Sequence, residues 1–82
     1  MNWNYPAFLY GGNKMTYAVE LVLEEAQLSV FEPTTQQFIA SCPYNEMRVF
    51  RDLETQTLFR IVIEGKALVF ASPFRTQLLG AL

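Results

Sequence analysis

The stretch Thr16-Tyr17-Ala18-Val19-Glu20-Leu21-Val22-Leu23 alternates without interruption along its length. Val19, Leu21 and Leu23 fall on one face of an extended chain, and the even-numbered positions fall on the other. Because successive side chains of a strand point to opposite faces, this period of two residues is typical of a strand with one buried face. The stretch therefore predicts a β-strand that packs on a core through its odd-numbered side chains.

Strand signals recur on both sides of this stretch. Residues 58–63 are the strongest candidate, because they are rich in β-branched and aromatic side chains. The following Glu64-Gly65-Lys66 predicts a tight turn, which makes residues 58–71 a hairpin. A second turn is predicted at Gly11-Gly12-Asn13-Lys14, since Gly and Asn tolerate positive φ. Further strands are predicted at residues 5–10, 28–30, 37–42, 47–50 and 67–71.

The C-terminal residues change character. Ser72 before Pro73 suits a helix N-cap followed by proline at the first helical position. Phe74, Leu78 and Leu82 then recur at intervals of four, which predicts a helix over about residues 73–82. A helix this short is marginal alone and must be stabilised by packing on the sheet. The prediction is a single mainly β domain over residues 1–82, a bent antiparallel sheet or partial barrel of about seven strands with one C-terminal helix.

The composition excludes several classes of function. The chain has 82 residues, no histidine and a single cysteine, Cys42, so it lacks the commonest general base and metal ligand. We therefore expect no enzymatic activity, no cofactor and no metal. The net charge is −2 and no Lys/Arg cluster is present, which argues against nucleic acid as a partner. No apolar run approaches the length of a membrane span and no signal peptide is recognisable, so we expect a cytoplasmic chain that does not insert into a membrane.

The order of these segments resembles a known domain. Residues 7–12 form an aromatic strand ending in a glycine turn, the alternating residues 19–23 and 28–30 follow, and then come Tyr44-x-x-Met47, the hairpin of residues 58–70 and the closing Leu78-Leu79. This order resembles the small pleckstrin-homology-like (PH-like) N-terminal domain of some bacterial membrane-bound metallopeptidases of the M48 (HtpX-like) class. The resemblance covers residues 5–82.

The resemblance implies a non-catalytic accessory or regulatory domain that docks on the peptidase or on its substrates. In that family the zinc and the HExxH helix belong to a separate domain, so no catalytic residue is carried over to this chain. The resemblance also implies tethering to the inner membrane through the parent protein. The alternative from a different class is a stand-alone small binding or inhibitor protein, for example one encoded by a phage, which could form a homodimer.

Aromatic and basic residues are the candidates for an interaction surface with a protein or peptide partner. Tyr and Trp combine a large apolar area with a polar tip, which makes them good interface anchors. The candidates are Trp3, Tyr5, Tyr10 and Tyr17, together with Arg48, Arg51 and Arg60 on strands that could be neighbours. Phe8, by contrast, is expected to fill the core.

The remaining titratable groups favour structural roles. No histidine is available to activate Cys42, so a small half-buried filler is expected there. Glu24 and Glu25 are adjacent and would point to opposite faces of a strand, which disfavours paired carboxylate chemistry and favours a solvated turn. Asp52 and Glu54 lie in a loop without a ligand pattern for a cation, so a metal site is not expected there.

Overall fold

The computed structural model describes residues 3–11 and 15–81. Its element bounds are β1 (Trp3–Tyr10), β2 (Thr16–Leu23), β3 (Gln27–Phe31), β4 (Phe38–Pro43), β5 (Arg48–Arg51), β6 (Leu58–Ile63), β7 (Lys66–Ala71) and α1 (Arg75–Gly80). One 3₁₀ turn, Tyr44–Glu46, joins β4 to β5. The predicted fold class is confirmed: the chain is mainly β, with one antiparallel sheet and a short C-terminal helix.

The seven strands form one sheet in the order β4-β3-β2-β1-β7-β6-β5. Within the described residues, every neighbouring pair except β1 and β7 joins strands that are consecutive in the chain. The long first strand lies at the centre of the sheet, where Phe8 is opposite both Ala18 of β2 and Ala71 of β7. The sheet is not closed into a barrel, and its two edges are β4 and β5.

The core lies against the inner face of this sheet. Val19, Leu21 and Leu23 of β2 are buried, as their alternation predicts. Across the sheet, Phe59 and Phe70 stack with their ring centroids 5.6 Å apart. Burial of each large side chain contributes about 1.5–3 kcal/mol to folding. The other members of the core cluster are Ala7, Leu28, Val30, Cys42, Ile61, Ile63, Leu78 and Leu79.

The C-terminal helix begins two residues later than the sequence predicts. Ser72 does not cap α1; its Oγ accepts the Phe74 N–H at 3.1 Å and donates to the Pro6 carbonyl oxygen at 2.8 Å. This pair of hydrogen bonds fixes the end of β7 on β1 before the helix begins at Arg75. Leu78 is fully buried, so packing rather than length stabilises this six-residue helix.

Phe8 does not lie where the sequence predicts. The prediction that Phe8 fills the core is wrong: its side chain is 51% exposed. Neighbouring Ala7 occupies the inward position of β1, and alternation then turns Phe8 outward. The predicted turn over Gly12, Asn13 and Lys14 and the helical position of Leu82 lie outside the described residues.

Candidate functional site

An outward-facing row of side chains crosses four strands of the sheet. Phe50 of β5 is opposite Arg60 of β6, Arg60 is opposite Val69 of β7, and Val69 is opposite Tyr10 of β1. Phe50 is 54% exposed, and Tyr10 is also exposed. Because large aromatic side chains normally bury most of their area, this row is the most unusual surface on the β5 side of the sheet.

A depression of about 490 Å³ lies beside Phe50. We define the β5 surface as five of the side chains that line it, Phe50, Leu53, Leu58, Arg60 and Val69; exposed Arg51 also lines the depression. Leu53, in the β5–β6 loop, is 97% exposed, so its whole side chain is available for contact. Exposed apolar side chains that cluster around a depression are characteristic of an interaction site.

The loop that carries Leu53 is fixed by an arginine from α1. Arg75 Nη1 donates to the carbonyl oxygens of Asp52 at 3.0 Å, Thr55 at 2.9 Å and Leu58 at 2.7 Å. Within the loop, the Glu54 N–H donates to Asp52 Oδ1 at 2.8 Å. The hydrogen bond from Glu54, followed by those from Thr55 and the charge of Arg75, holds the pKa of Asp52 below its ordinary value. Leu53 is therefore presented on an ordered loop.

Phe50 also borders a second depression, of about 620 Å³, on the side of β5 nearer the 3₁₀ turn. Its other lining residues include Arg48, Val62 and Glu64. The phenylalanine ring thus forms a ridge between two concave regions. An extended partner segment that runs along β5 would place side chains on both sides of that ridge.

The charges around the β5 surface are mixed. Three of the six basic residues of the chain, Arg48, Arg51 and Arg60, lie on β5 and β6, and these two strands contain no acidic residue. The flanking turns carry acidic residues, among them Glu46, Asp52, Glu54 and Glu64. The arginines therefore present local positive charge on the strands, but the region as a whole is not basic.

The structure brings only some of the sequence-predicted site residues together. Tyr10 and Arg60 flank Val69 in the outward row, and Arg48 lines the second depression. Arg51 is opposite Phe59 and shares its strand face with Val49, so it points away from Phe50. Arg51 is thus on the opposite strand face from Arg48 and Phe50, although it also lines the depression beside Phe50.

The remaining predicted aromatics lie elsewhere. Tyr5 is half-buried on the inner face and packs on Phe74, with ring centroids 6.4 Å apart. Trp3 and Tyr17 are exposed near opposite ends of the β1–β2 pair, opposite Leu23 and Leu9 respectively. By the register the three side chains share one face of the β1–β2 pair, but Trp3 and Tyr17 stand near opposite ends of it.

Sequence reasoning missed Phe50 and Leu53 as site residues. The signal for Phe50 was available, because it follows Val49 directly and must face away from it on a strand. Val49 is half-buried against the core, which leaves Phe50 outside. Nothing in the sequence pattern indicated that Leu53 would be held in an arginine-fixed loop.

Two titratable groups, buried Cys42 and half-buried Tyr44, have structural roles. Burial raises the pKa of the Cys42 thiol, and the carboxylates of Glu46 and Glu64 raise it further. Its Sγ lies 3.5 Å from the Pro43 carbonyl oxygen, at an inward position of β4. The Tyr44 hydroxyl donates to the Glu24 carbonyl oxygen at 2.6 Å, and burial raises its pKa. Neither group is poised for nucleophilic chemistry.

Residues 3–11 and 15–81 contain no group of three or more Cys, Asp or Glu side chains arranged to hold a metal ion. In the same part of the chain, no helix has the length and apolar character to cross a membrane. No family model matches the sequence, and no curated protein is significantly similar to it.

Proposed function

We propose that this protein is a non-catalytic interaction module that binds an extended segment of a partner protein along β5. The observation that carries the proposal is Phe50, a large aromatic side chain that is half-exposed on an edge strand of only four residues. An edge strand presents unpaired backbone groups that an added strand can hydrogen-bond. The phenylalanine provides apolar area at the same place.

The β5 surface suits the side chains of such a segment. Alternate residues of an extended chain face the same way and lie about 6.6–6.8 Å apart. Successive outward residues of the partner could therefore enter the depressions on the two sides of Phe50. Backbone hydrogen bonds would supply affinity, and the two depressions, with Arg48 and Arg60 at their rims, would supply specificity.

As the biological setting, we propose the accessory or regulatory N-terminal domain of a bacterial membrane-bound metallopeptidase. The order of strand segments in the sequence and the seven-stranded antiparallel sheet with its C-terminal helix support a PH-like assignment. In that setting the partner segment would belong to the peptidase or to its substrate. Binding of the isolated catalytic domain of such a peptidase, measured by calorimetry, would support this setting over that of a stand-alone binding or inhibitor protein.

A display library of random linear 12-residue peptides, selected on the immobilised protein, tests the proposed activity. Selected peptides should bind the Phe50→Ser variant at least tenfold more weakly, because the anchor between the depressions is lost. The Phe38→Ser variant is a matched control, since Phe38 is 55% exposed on the other edge strand. It should leave binding within twofold of the unmodified protein.

The location of binding is read from backbone amide chemical shifts of the ¹⁵N-labelled protein. A selected peptide should shift the amides of Arg48–Arg51 and of Leu53 most strongly. Equal loss of binding in both variants, or shifts centred on β4, would show that the site is not the β5 surface. If no peptide is enriched and light scattering shows a dimer that Phe50→Ser dissociates, the occupant of β5 is a second copy of this chain.

A further inference from the structure

A separate groove of about 430 Å³ lies on the outer face of β1 and β2. Its lining includes Pro6, Phe8 and Ala18 of these strands, together with Pro33 and Pro73. We call it the β1–β2 groove. It shares no lining residue with the depression beside Phe50, so its role is independent of the proposed function.

The register of the two strands explains why the groove is open. Phe8 is opposite Ala18, and Pro6 is opposite Glu20, all on the outward face. The methyl group of Ala18 leaves space beside the phenylalanine ring, and the proline rings carry no polar side-chain atoms. The result is an apolar trough that ends at a carboxylate.

That carboxylate has a neutral partner. Glu20 Oε1 accepts a hydrogen bond of 2.9 Å from Asn4 Nδ2, which orients the carboxylate without neutralising it. Glu20 is the one charged residue among those that line the groove, and none of the lining residues is Lys or Arg. A few placed polar groups in a mostly apolar pocket determine which ligand it accepts and how the ligand is oriented.

We infer that the β1–β2 groove binds the side chain of a lysine or arginine from a partner protein. The methylene stem of such a side chain matches the apolar lining, and its cationic head complements Glu20. The Phe8 ring adds attraction for the cation, because the face of an aromatic ring is negative. The same groove would bind an uncharged side chain of equal length less well, since the carboxylate would then lose hydration without a partner.

Blocked amino acid amides test this inference. The probes are the N-acetyl amides of lysine, arginine and norleucine, and norleucine supplies the apolar stem without the charge. Binding is followed through the amide shifts of Phe8, Ala18 and Glu20 in the ¹⁵N-labelled protein. We expect the lysine and arginine probes to bind about threefold more tightly than the norleucine probe. This difference in affinity is typical of one partly exposed ion pair.

In the Glu20→Gln variant the ratio of lysine or arginine affinity to norleucine affinity should fall to about one. Glu25→Gln makes the same change in net charge in the exposed β2–β3 turn and should preserve the preference. Equal binding of all three probes to the unmodified protein would overturn the inference, as would a lysine preference that survives in Glu20→Gln. Absence of any shift at these three amides with 50 mM probe would overturn it as well. Phe50→Ser should leave all these shifts unchanged, which separates this test from that of the β5 surface.

Discussion

Removal of the Arg75 guanidinium should destabilise the protein and disorder the loop that carries Leu53. The substitution Arg75→Met keeps the length and apolar stem of the side chain while removing its hydrogen bonds. Nη1 contacts three carbonyl oxygens at 2.7–3.0 Å but carries two N–H groups, so about two full hydrogen bonds are lost. A hydrogen bond from a charged donor contributes about 1.5–3 kcal/mol, and the half-buried position of Arg75 favours the lower value.

We therefore expect Arg75→Met to lower the free energy of unfolding by about 3 kcal/mol. For a domain of this size the total free energy of unfolding is about 4–12 kcal/mol, so the loss is a substantial fraction. It corresponds to a decrease in Tm of roughly 10–20 °C. Urea denaturation followed by tryptophan fluorescence measures the loss directly. Arg60→Met is the matched control, because Arg60 is exposed and should change stability by no more than about 0.5 kcal/mol.

Hydrogen exchange separates loss of the loop from general destabilisation. In the native protein the Asp52 N–H donates to the Leu58 carbonyl oxygen at 3.2 Å, and the Glu54 N–H donates to Asp52 Oδ1. Both amides should exchange faster in Arg75→Met under conditions where the amides of β2 remain protected. A variant with stability within 0.5 kcal/mol of the unmodified protein and unchanged exchange at both amides would refute our account of how the loop is fixed.

Three further predictions concern the core, a turn and a carboxylate. Leu78→Ala should lower the free energy of unfolding, measured by urea denaturation, by about 2–5 kcal/mol because Leu78 is fully buried. The control Gln77→Ala changes an exposed side chain and should lower it by under about 1 kcal/mol. Gly65 has a φ of +79°, and a Cβ added there would meet no other atom within 4 Å. Gly65→Ala should therefore lower the free energy of unfolding by about 1–2 kcal/mol through backbone strain alone. Unchanged stability would exclude that strain. The Thr35 hydroxyl and N–H donate to Glu32 and lower its pKa in the folded protein. The ionised Glu32 therefore stabilises the fold at a pH above its pKa in the unfolded chain, and this stabilisation is lost as the pH falls through its pKa in the folded protein. Carboxyl ¹³C titration should give a lower midpoint for Glu32 in the folded than in the urea-unfolded protein, and Thr35→Ala should raise the folded midpoint; equal midpoints would contradict the role of Thr35.

The strands were predictable because their sequences contain the periodicity of the sheet. The predicted bounds of β2 and β6 match the structure, since one alternates cleanly and the other is rich in β-branched and aromatic residues. The helix begins two residues later than predicted because Ser72 Oγ, while it accepts the Phe74 N–H, also donates to the Pro6 carbonyl and holds the end of β7 on β1 before α1 begins. A hydrogen bond between residues so far apart in sequence has no local signature.

The candidate site was less predictable than the fold. Whether an aromatic side chain is exposed depends on which face of the sheet its position in the strand presents. An error of one residue in that assignment puts every side chain of the strand on the wrong face. The expectation that Phe8 fills the core is wrong because the inward position of β1 belongs to Ala7. The placement of Leu53 depends on Arg75, which fixes its loop from more than twenty residues later in the chain.

The pairing of β1 with β7 has a consequence for synthesis of the chain on the ribosome. Phe8 and Ala71 are opposite each other in the sheet, so this register must join the first strand to the last. Closing a loop of that length costs roughly 3–4 kcal/mol in chain entropy, whereas the other pairings form between adjacent strands. The β1–β2–β3–β4 meander can assemble as the chain emerges, but β1 keeps an open edge until residues 66–71 leave the exit tunnel. We expect folding to be completed late, and a nascent chain stalled before β7 to expose the centre of the future sheet to chaperones and to other nascent chains.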